Sequence, residues 1–195
     1  MSLKLLLPIA ALAFAGCAHA QEISSDRIAV SEHEQALVQT LVLEAPVEQV
    51  WAQFTTSRGV SSWMAPVAEV DLRSGGSIRS NYDACAAVGD AGTITLEIVN
   101  LVPERMLLLR SDLSVAADAE WMTPAIMERG PHMANLIEFE ALDDGRTQIT
   151  SWGLGYGIGE EWETMIGFFT AGNEWSFGQL ARALAGEEVY PGCEA

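Results

Sequence analysis

From about Glu160 to Ala185 the chain reads as one long amphipathic helix. Trp162, Ile166, Phe169, Phe177, Leu180 and Leu184 form an apolar stripe along it. Glu160, Glu161 and Glu163 stand in its first turn and Arg182 near its end, each with the sign that the helix dipole favours, and Gly186 follows as a stop. At a rise of 1.5 Å per residue, roughly 25 residues reach close to 40 Å. A helix of that length crosses an entire small sheet, so the rest of the chain has to supply one. Gly167, Gly172 and Gly178 weaken the helix and are expected to mark a bend or close contacts.

The sheet is visible as alternation. In Ala36 to Glu44, Leu37, Leu41 and Leu43 alternate with Val38, Thr40 and Val42, which predicts a first strand. Pro46 suits a first helical turn, Glu48 favours the helix N-terminus, and Val47, Val50, Trp51 and Phe54 recur at helical spacing. Ser57 to Trp63 reads as a second short helix, broken by Gly59 and ended before Pro66. From Val67 the period becomes two. Arg73-Ser74-Gly75-Gly76 is a tight turn, Thr93 to Leu101 a half-buried strand, and Val102-Pro103-Glu104-Arg105 a turn into Met106 to Arg110. Asn135 to Leu142 and Thr147 to Trp152 form a hairpin across Asp143-Asp144-Gly145. The order predicts an α+β fold, a curled antiparallel sheet around a long C-terminal helix with two short N-terminal helices.

The ends of the chain speak of compartment. Met1 to Ala20 has one basic residue, Lys4, an apolar run from Leu5 to Phe14 and the small-residue ending Ala18-His19-Ala20, an export signal expected to be cut before Gln21. The apolar run is too short to span a bilayer, which takes about 20 residues. Ala15-Gly16-Cys17 supports a competing reading, a lipid anchor on Cys17, although Phe14 stands where such signals place an aliphatic residue. The expected organisation is therefore a signal peptide (1–20), a polar N-terminal segment (21–35), one domain (36–186) and a C-terminal tail (187–195), in an exported, periplasmic protein. Once Lys4 leaves with the signal, nine arginines face 27 acidic residues. Nucleic acid and anionic membrane surfaces should repel such a chain, and lysine chemistry is excluded. Cleavage also leaves two cysteines, Cys85 and Cys193, in a space where disulfides persist. Either they are bridged, pinning the tail, or they are two unrelated thiols.

Several pieces taken together resemble a known family. They are Ala45-Pro46 before the first helix, Val50-Trp51, Trp63, Asp71-Leu72-Arg73 with Gly75-Gly76, Val99 to Arg105 with its proline turn, Asp144-Gly145-Arg146-Thr147, and Gly172-Asn173 in the last helix. Over about Leu37 to Leu184 the chain resembles the START-like (SRPBCC) superfamily, with its helix-grip fold. Within it, the chain resembles the family named for the activator of the ninety-kilodalton heat-shock-protein ATPase. The resemblance implies a cavity between sheet and long helix that encloses a small apolar or amphipathic molecule, and it implies no cofactor. The family name is not an expected activity, since a cytosolic chaperone is out of reach of an exported protein.

Candidate wall residues are Trp162, Met165, Ile166 and Phe169 on the long helix, with Trp63, Tyr82 and Trp152 from elsewhere. An aromatic stripe serves equally as ordinary core. Between Val115 and Pro131, Trp121, Met122, Ile126 and Met127 surround Thr123-Pro124, where Thr123 is expected to cap a helical turn. Adaptable methionines there suit a lid over a pocket mouth or a plug at one end of the sheet. Chemistry is poorly represented. His33 and His132 lie in no metal-binding spacing, and no serine stands in a nucleophile elbow. The alternative to a carrier is a cavity enzyme of the polyketide cyclase or hydratase type, using His132 with Glu138 and Glu140, Tyr82, or a buried carboxylate. That alternative requires those groups to face the interior.

Overall fold

The computed structural model describes residues 23–193. The expected export signal and Cys17 lie outside the described residues. Eight strands form one antiparallel sheet: β1 (Ser24–Ala29), β2 (Glu34–Leu43), β3 (Val67–Asp71), β4 (Gly76–Asn81), β5 (Ile94–Val102), β6 (Met106–Ser111), β7 (Ala134–Ala141) and β8 (Thr147–Gly157), in the order β1-β2-β8-β7-β6-β5-β4-β3. Two short helices, α1 (Val47–Thr55) and α2 (Ser57–Trp63), carry the chain from β2 to the far edge. A plain meander then returns it until β8 pairs with β2. A short α3 (Pro124–Arg129) interrupts the meander, and α4 (Glu160–Leu184) closes the fold.

The helices lie over the inward side of the sheet, and the alternation of each strand decides which residues meet them. On β2 these are Leu37, Gln39, Leu41 and Leu43, all at most 3 % exposed. On β7 they include Ile137 and Phe139, and on β8 Thr147, Ile149 and Ser151. Phe139 receives α1 through two rings, with Trp51 at 5.1 Å and Phe54 at 5.2 Å between centroids, and Phe54 in turn meets Trp63 of α2 at 4.9 Å. Burying aromatic side chains of this size contributes roughly 1.5–3 kcal/mol each, enough to hold helices too short to persist alone.

Three expectations need correction. Gly59 does not break the second helix. A Cβ there would sit 2.0 Å from the Ala52 carbonyl oxygen, so glycine is what lets α2 fold tightly back on α1. The glycines of α4 mark neither a bend nor a close contact: the helix runs unbroken for 25 residues, and a Cβ at Gly167, Gly172 or Gly178 would meet nothing within 4 Å. The polar segment before residue 36 contributes an edge strand, β1, whose Arg27 pairs with Glu163 at 2.8 Å and whose Ser25 donates to Glu174 at 2.7 Å on α4. Its side chains are all exposed and its first four are polar, so no apolar alternation announced it.

Cys85 and Cys193 are bonded, with Cα atoms 4.8 Å apart. The bridge ties the tail to the loop after β4, and Tyr190 Oη adds a hydrogen bond to the Met64 carbonyl at 3.0 Å. Among the described residues no helix is long and apolar enough to cross a membrane.

Candidate functional site

The space between sheet and α4 holds two separate apolar clusters. The first joins α1, α2 and the C-terminal half of α4 to most of the sheet, through Val50, Phe54, Trp63, Ile78, Phe177 and Leu180 among others. The second contains Leu37, Trp121, Ile126, Met133, Tyr156, Trp162, Met165 and Ile166, with Met122 and Phe169 packed against it. Each element that crosses from one cluster to the other changes to polar residues at the crossing. On β2 it is Gln39, between Leu37 and Leu41. On β8 it is Ser151, and on β7 Asn135, which donates to Ser151 Oγ at 2.9 Å. On α4 it is Thr170 and Asn173, between Ile166 and Phe177.

Gln39 holds this belt together. It is fully buried, donates to Ser25 Oγ at 3.0 Å and to the Thr170 carbonyl at 3.2 Å, and accepts from Asn173 Nδ2 at 2.8 Å. A buried amide this well bonded rigidifies its surroundings and fixes the height of α4 above β2. The belt therefore separates the second cluster from the first and borders it with polar groups.

The segment containing α3 packs against this second cluster through Trp121 and Ile126. Thr123 caps it as expected, its hydroxyl accepting from Ile126 N at 3.2 Å, with Pro124 opening the helix. Ile126 is fully buried, while Met127 is exposed. Trp121 rests on α4, its ring 5.7 Å from Phe168 and 5.5 Å from Phe169. Arg129 anchors the segment to the sheet by donating to the Gly155 carbonyl at 2.6 Å and pairing with Glu34.

Of the predicted wall residues, the structure gathers Trp121, Met122, Trp162, Met165, Ile166 and Phe169 in this second cluster. It excludes three. Trp63 belongs to the first cluster, where its indole donates to the Gln53 carbonyl at 3.0 Å. Tyr82 follows the end of β4 and is 57 % exposed. Trp152 points to the outer face of the sheet and donates to Glu138 at 2.7 Å. The catalytic alternative loses its residues for the same reason. His132 is exposed in a 3-10 turn before β7, and Glu138 and Glu140 lie on the outer face, opposite Phe139 and Ile137. Those glutamates line an open groove of ≈ 660 Å³ with Glu104, Arg105 and Gln148, a wet and mostly acidic surface. Among the described residues no cluster of His, Cys, Asp or Glu has the makings of a metal site.

One residue of this cluster escaped the sequence pattern. Strict alternation along β8 sends Tyr156 outward with Trp152, but the strand bulges: Leu37 faces Gly153 whereas Gln35 faces Tyr156, so two strand steps on β2 match three on β8. Gly155 takes up the extra residue at φ +90°. Beyond it the parity is reversed and Tyr156 turns inward, 5 % exposed, its ring 6.5 Å from that of Trp162. The glycines at 153, 155 and 157 were the available signal, since glycine repeated inside a strand marks a bulge or a close approach. Burial pushes the Tyr156 phenol well above its ordinary pKa, so it remains a hydrogen-bond donor throughout the physiological range.

Comparisons with known proteins agree with this architecture. The family profile described as activator of Hsp90 ATPase homolog 1-like protein matches residues 44–185. No curated protein matches the sequence. Among solved structures, protein MLL2253 from Mesorhizobium loti aligns with a TM-score of 0.59 at 16 % identity, over 79 % of this chain and 99 % of its own. CalU16 from Micromonospora echinospora aligns with a TM-score of 0.57 at 17 % identity, over 89 % and 88 %. The Aha1 dimer from Colwellia psychrerythraea gives 0.54 at 15 %, over 79 % and 96 %. At such identities the likeness is one of fold.

Proposed function

Because the chain belongs to the activator of Hsp90 ATPase homolog 1-like family of START-like proteins, we propose that it is an exported binding or carrier protein for a small apolar or amphipathic molecule. The ligand lies in the second apolar cluster, between β8, β2 and α4, beneath the α3 segment. The observation that carries this reading is the partition of the interior. A protein needing only a core gains nothing from a buried polar belt through it, since each buried polar group is costly unless paired. A binding chamber uses the same belt as a floor against which an apolar occupant ends. Three methionines, Met122, Met133 and Met165, border the chamber and re-pack readily around a guest.

Export rests on the N-terminal signal and is supported by the Cys85–Cys193 bond, which suits an oxidising compartment. Among the described residues no carboxylate or histidine is buried, which favours carrying over catalysis. Native mass spectrometry of the protein taken from the periplasm of its own host tests the proposal. The expected spectrum shows a chain beginning at Gln21, or lipidated at Cys17, with a noncovalent adduct lost on denaturation. An intact signal, or a bare chain that also takes up no neutral apolar compound in vitro, contradicts it.

A further inference from the structure

The second cluster contains polar atoms that its apolar character does not explain. Among the described residues, no hydrogen bond reaches the hydroxyl of Tyr156 or the indole N–H of Trp121 or Trp162, although these residues are only 5 %, 7 % and 3 % exposed. Outside it, Trp63, Trp152 and Tyr190 each reach a protein oxygen within 3.0 Å, and among the described residues the buried Trp51 indole is the one other buried aromatic donor without a partner. Buried polar groups in folded proteins are bonded with few exceptions, and an exception calls for a specific reason. Three in one cluster, next to a belt in which the Gln39 amide is bonded at both ends, form a pattern.

The chemistry of the three groups restricts what they recognise. An indole N–H only donates, and the phenol donates as a neutral group, so their common partner is an acceptor. Among the described residues the buried polar side chains are Gln39, Thr55, Ser80, Asn81, Thr147 and Ser151, so no buried carboxylate or cation is at hand. The nearby cation, Arg129, is already engaged by Glu34 and the Gly155 carbonyl. A charged ligand would enter without a counter-charge, at a cost of several kcal/mol. From this we infer that the chamber selects a neutral, largely apolar molecule bearing a carbonyl-type oxygen, a ketone or quinone, which accepts a hydrogen bond from Tyr156 Oη with the Trp162 indole beside it. The inference rests on the ligand chamber proposed above and adds the class of ligand.

The bulge in β8 gives Tyr156 this role. Without the extra residue the phenol lies on the outer face of the sheet, and the chamber retains only the indoles.

Two bicyclic probes of nearly equal shape test the assignment: α-tetralone, which carries one ketone, and tetralin, which carries none. Binding of each to the wild-type protein and to Tyr156→Phe is measured by titration calorimetry. The variant is expected to bind α-tetralone about tenfold more weakly and tetralin within twofold of wild type, the size of one neutral hydrogen bond. Equal effects on both probes, or none on either, overturn the inference while leaving the chamber standing. If neither probe binds the wild type, the chamber reading itself fails and takes this assignment with it. Thermal unfolding of ligand-free Tyr156→Phe supplies an independent readout. A hydroxyl without a protein partner can be removed with Tm unchanged or raised, whereas a drop of more than a few degrees would show that it serves the fold instead.

Discussion

Gln39 and Tyr156 are both buried in the same interior, and their opposite circumstances define it. Every polar atom of the Gln39 side chain is engaged, bridging β1, β2 and α4. Replacing it with alanine strands Asn173 Nδ2 and leaves the Thr170 carbonyl without its side-chain donor. We expect Gln39→Ala to lower unfolding stability by about 2 kcal/mol, within the usual range for an orphaned buried partner, as measured by urea denaturation. A loss below about 0.5 kcal/mol would show that α4 is held by apolar packing alone. Tyr156, the most deeply buried of three tyrosines whose phenols burial raises, contributes to the alkaline behaviour. Its folded pKa is raised by burial above the ordinary value near 10, so the unfolded state loses the proton first as the pH rises. Stability linked to the phenol is fully present below pH about 10 and declines above it, and Tyr156→Phe should flatten that decline in denaturation curves taken between about pH 9 and 11.5.

At the scale of elements, legibility followed local pattern. β2, β5, β6, α1 and α4 were readable because each shows its own hydrophobic period, and the cap of α3 because Thr123-Pro124 is a local signal. β1 was not, since an edge strand of exposed residues, the first four of them polar, carries no alternation. The far end of β8, beyond Trp152, was not read as strand, and a single inserted residue there reverses every side chain beyond it. The candidate site suffered for the same reason. Trp121, Met122, Trp162, Met165, Ile166 and Phe169 lie on helical or lid segments and were found, whereas Tyr156 depended on strand parity past a bulge. Trp63, Tyr82 and Trp152 were misplaced because aromatic character says nothing about which side of a sheet, or which of two cores, a ring joins.

The C-terminal tail is a separate element with its own prediction. Its bond to Cys85 closes a loop of 108 residues, for which chain-entropy arguments allow about 4–5 kcal/mol. Cys193→Ser should therefore lower Tm by several degrees or more, measured against wild type in the absence of reductant. An unchanged Tm would mean that the tail is not part of the cooperative fold.

At the scale of the molecule, one sheet and one long helix enclose two apolar clusters parted by a polar belt. The cluster built on α1, α2 and the end of α4 is a closed core, with Trp51, Phe54, Trp63 and Phe139 meeting edge to face. The other is bounded by the belt at Gln39, Ser151, Asn135 and Asn173 and covered by a segment that Arg129 ties down. Acidic residues outnumber basic ones 27 to 10 along the chain, yet among the described residues no carboxylate is buried.

Methionine methyl resonances test that division directly, because these residues report from three places. Met122, Met133 and Met165 border the chamber, Met64 packs on the first cluster, and Met106 lines the outer groove. In a titration of protein carrying 13C-methyl methionine with α-tetralone, the account predicts saturable shifts at Met122, Met133 and Met165 and none at Met64 or Met106. Shifts confined to Met106 would place binding on the outer face, and shifts at Met64 with none at Met165 would place it in the closed core; either result contradicts the account.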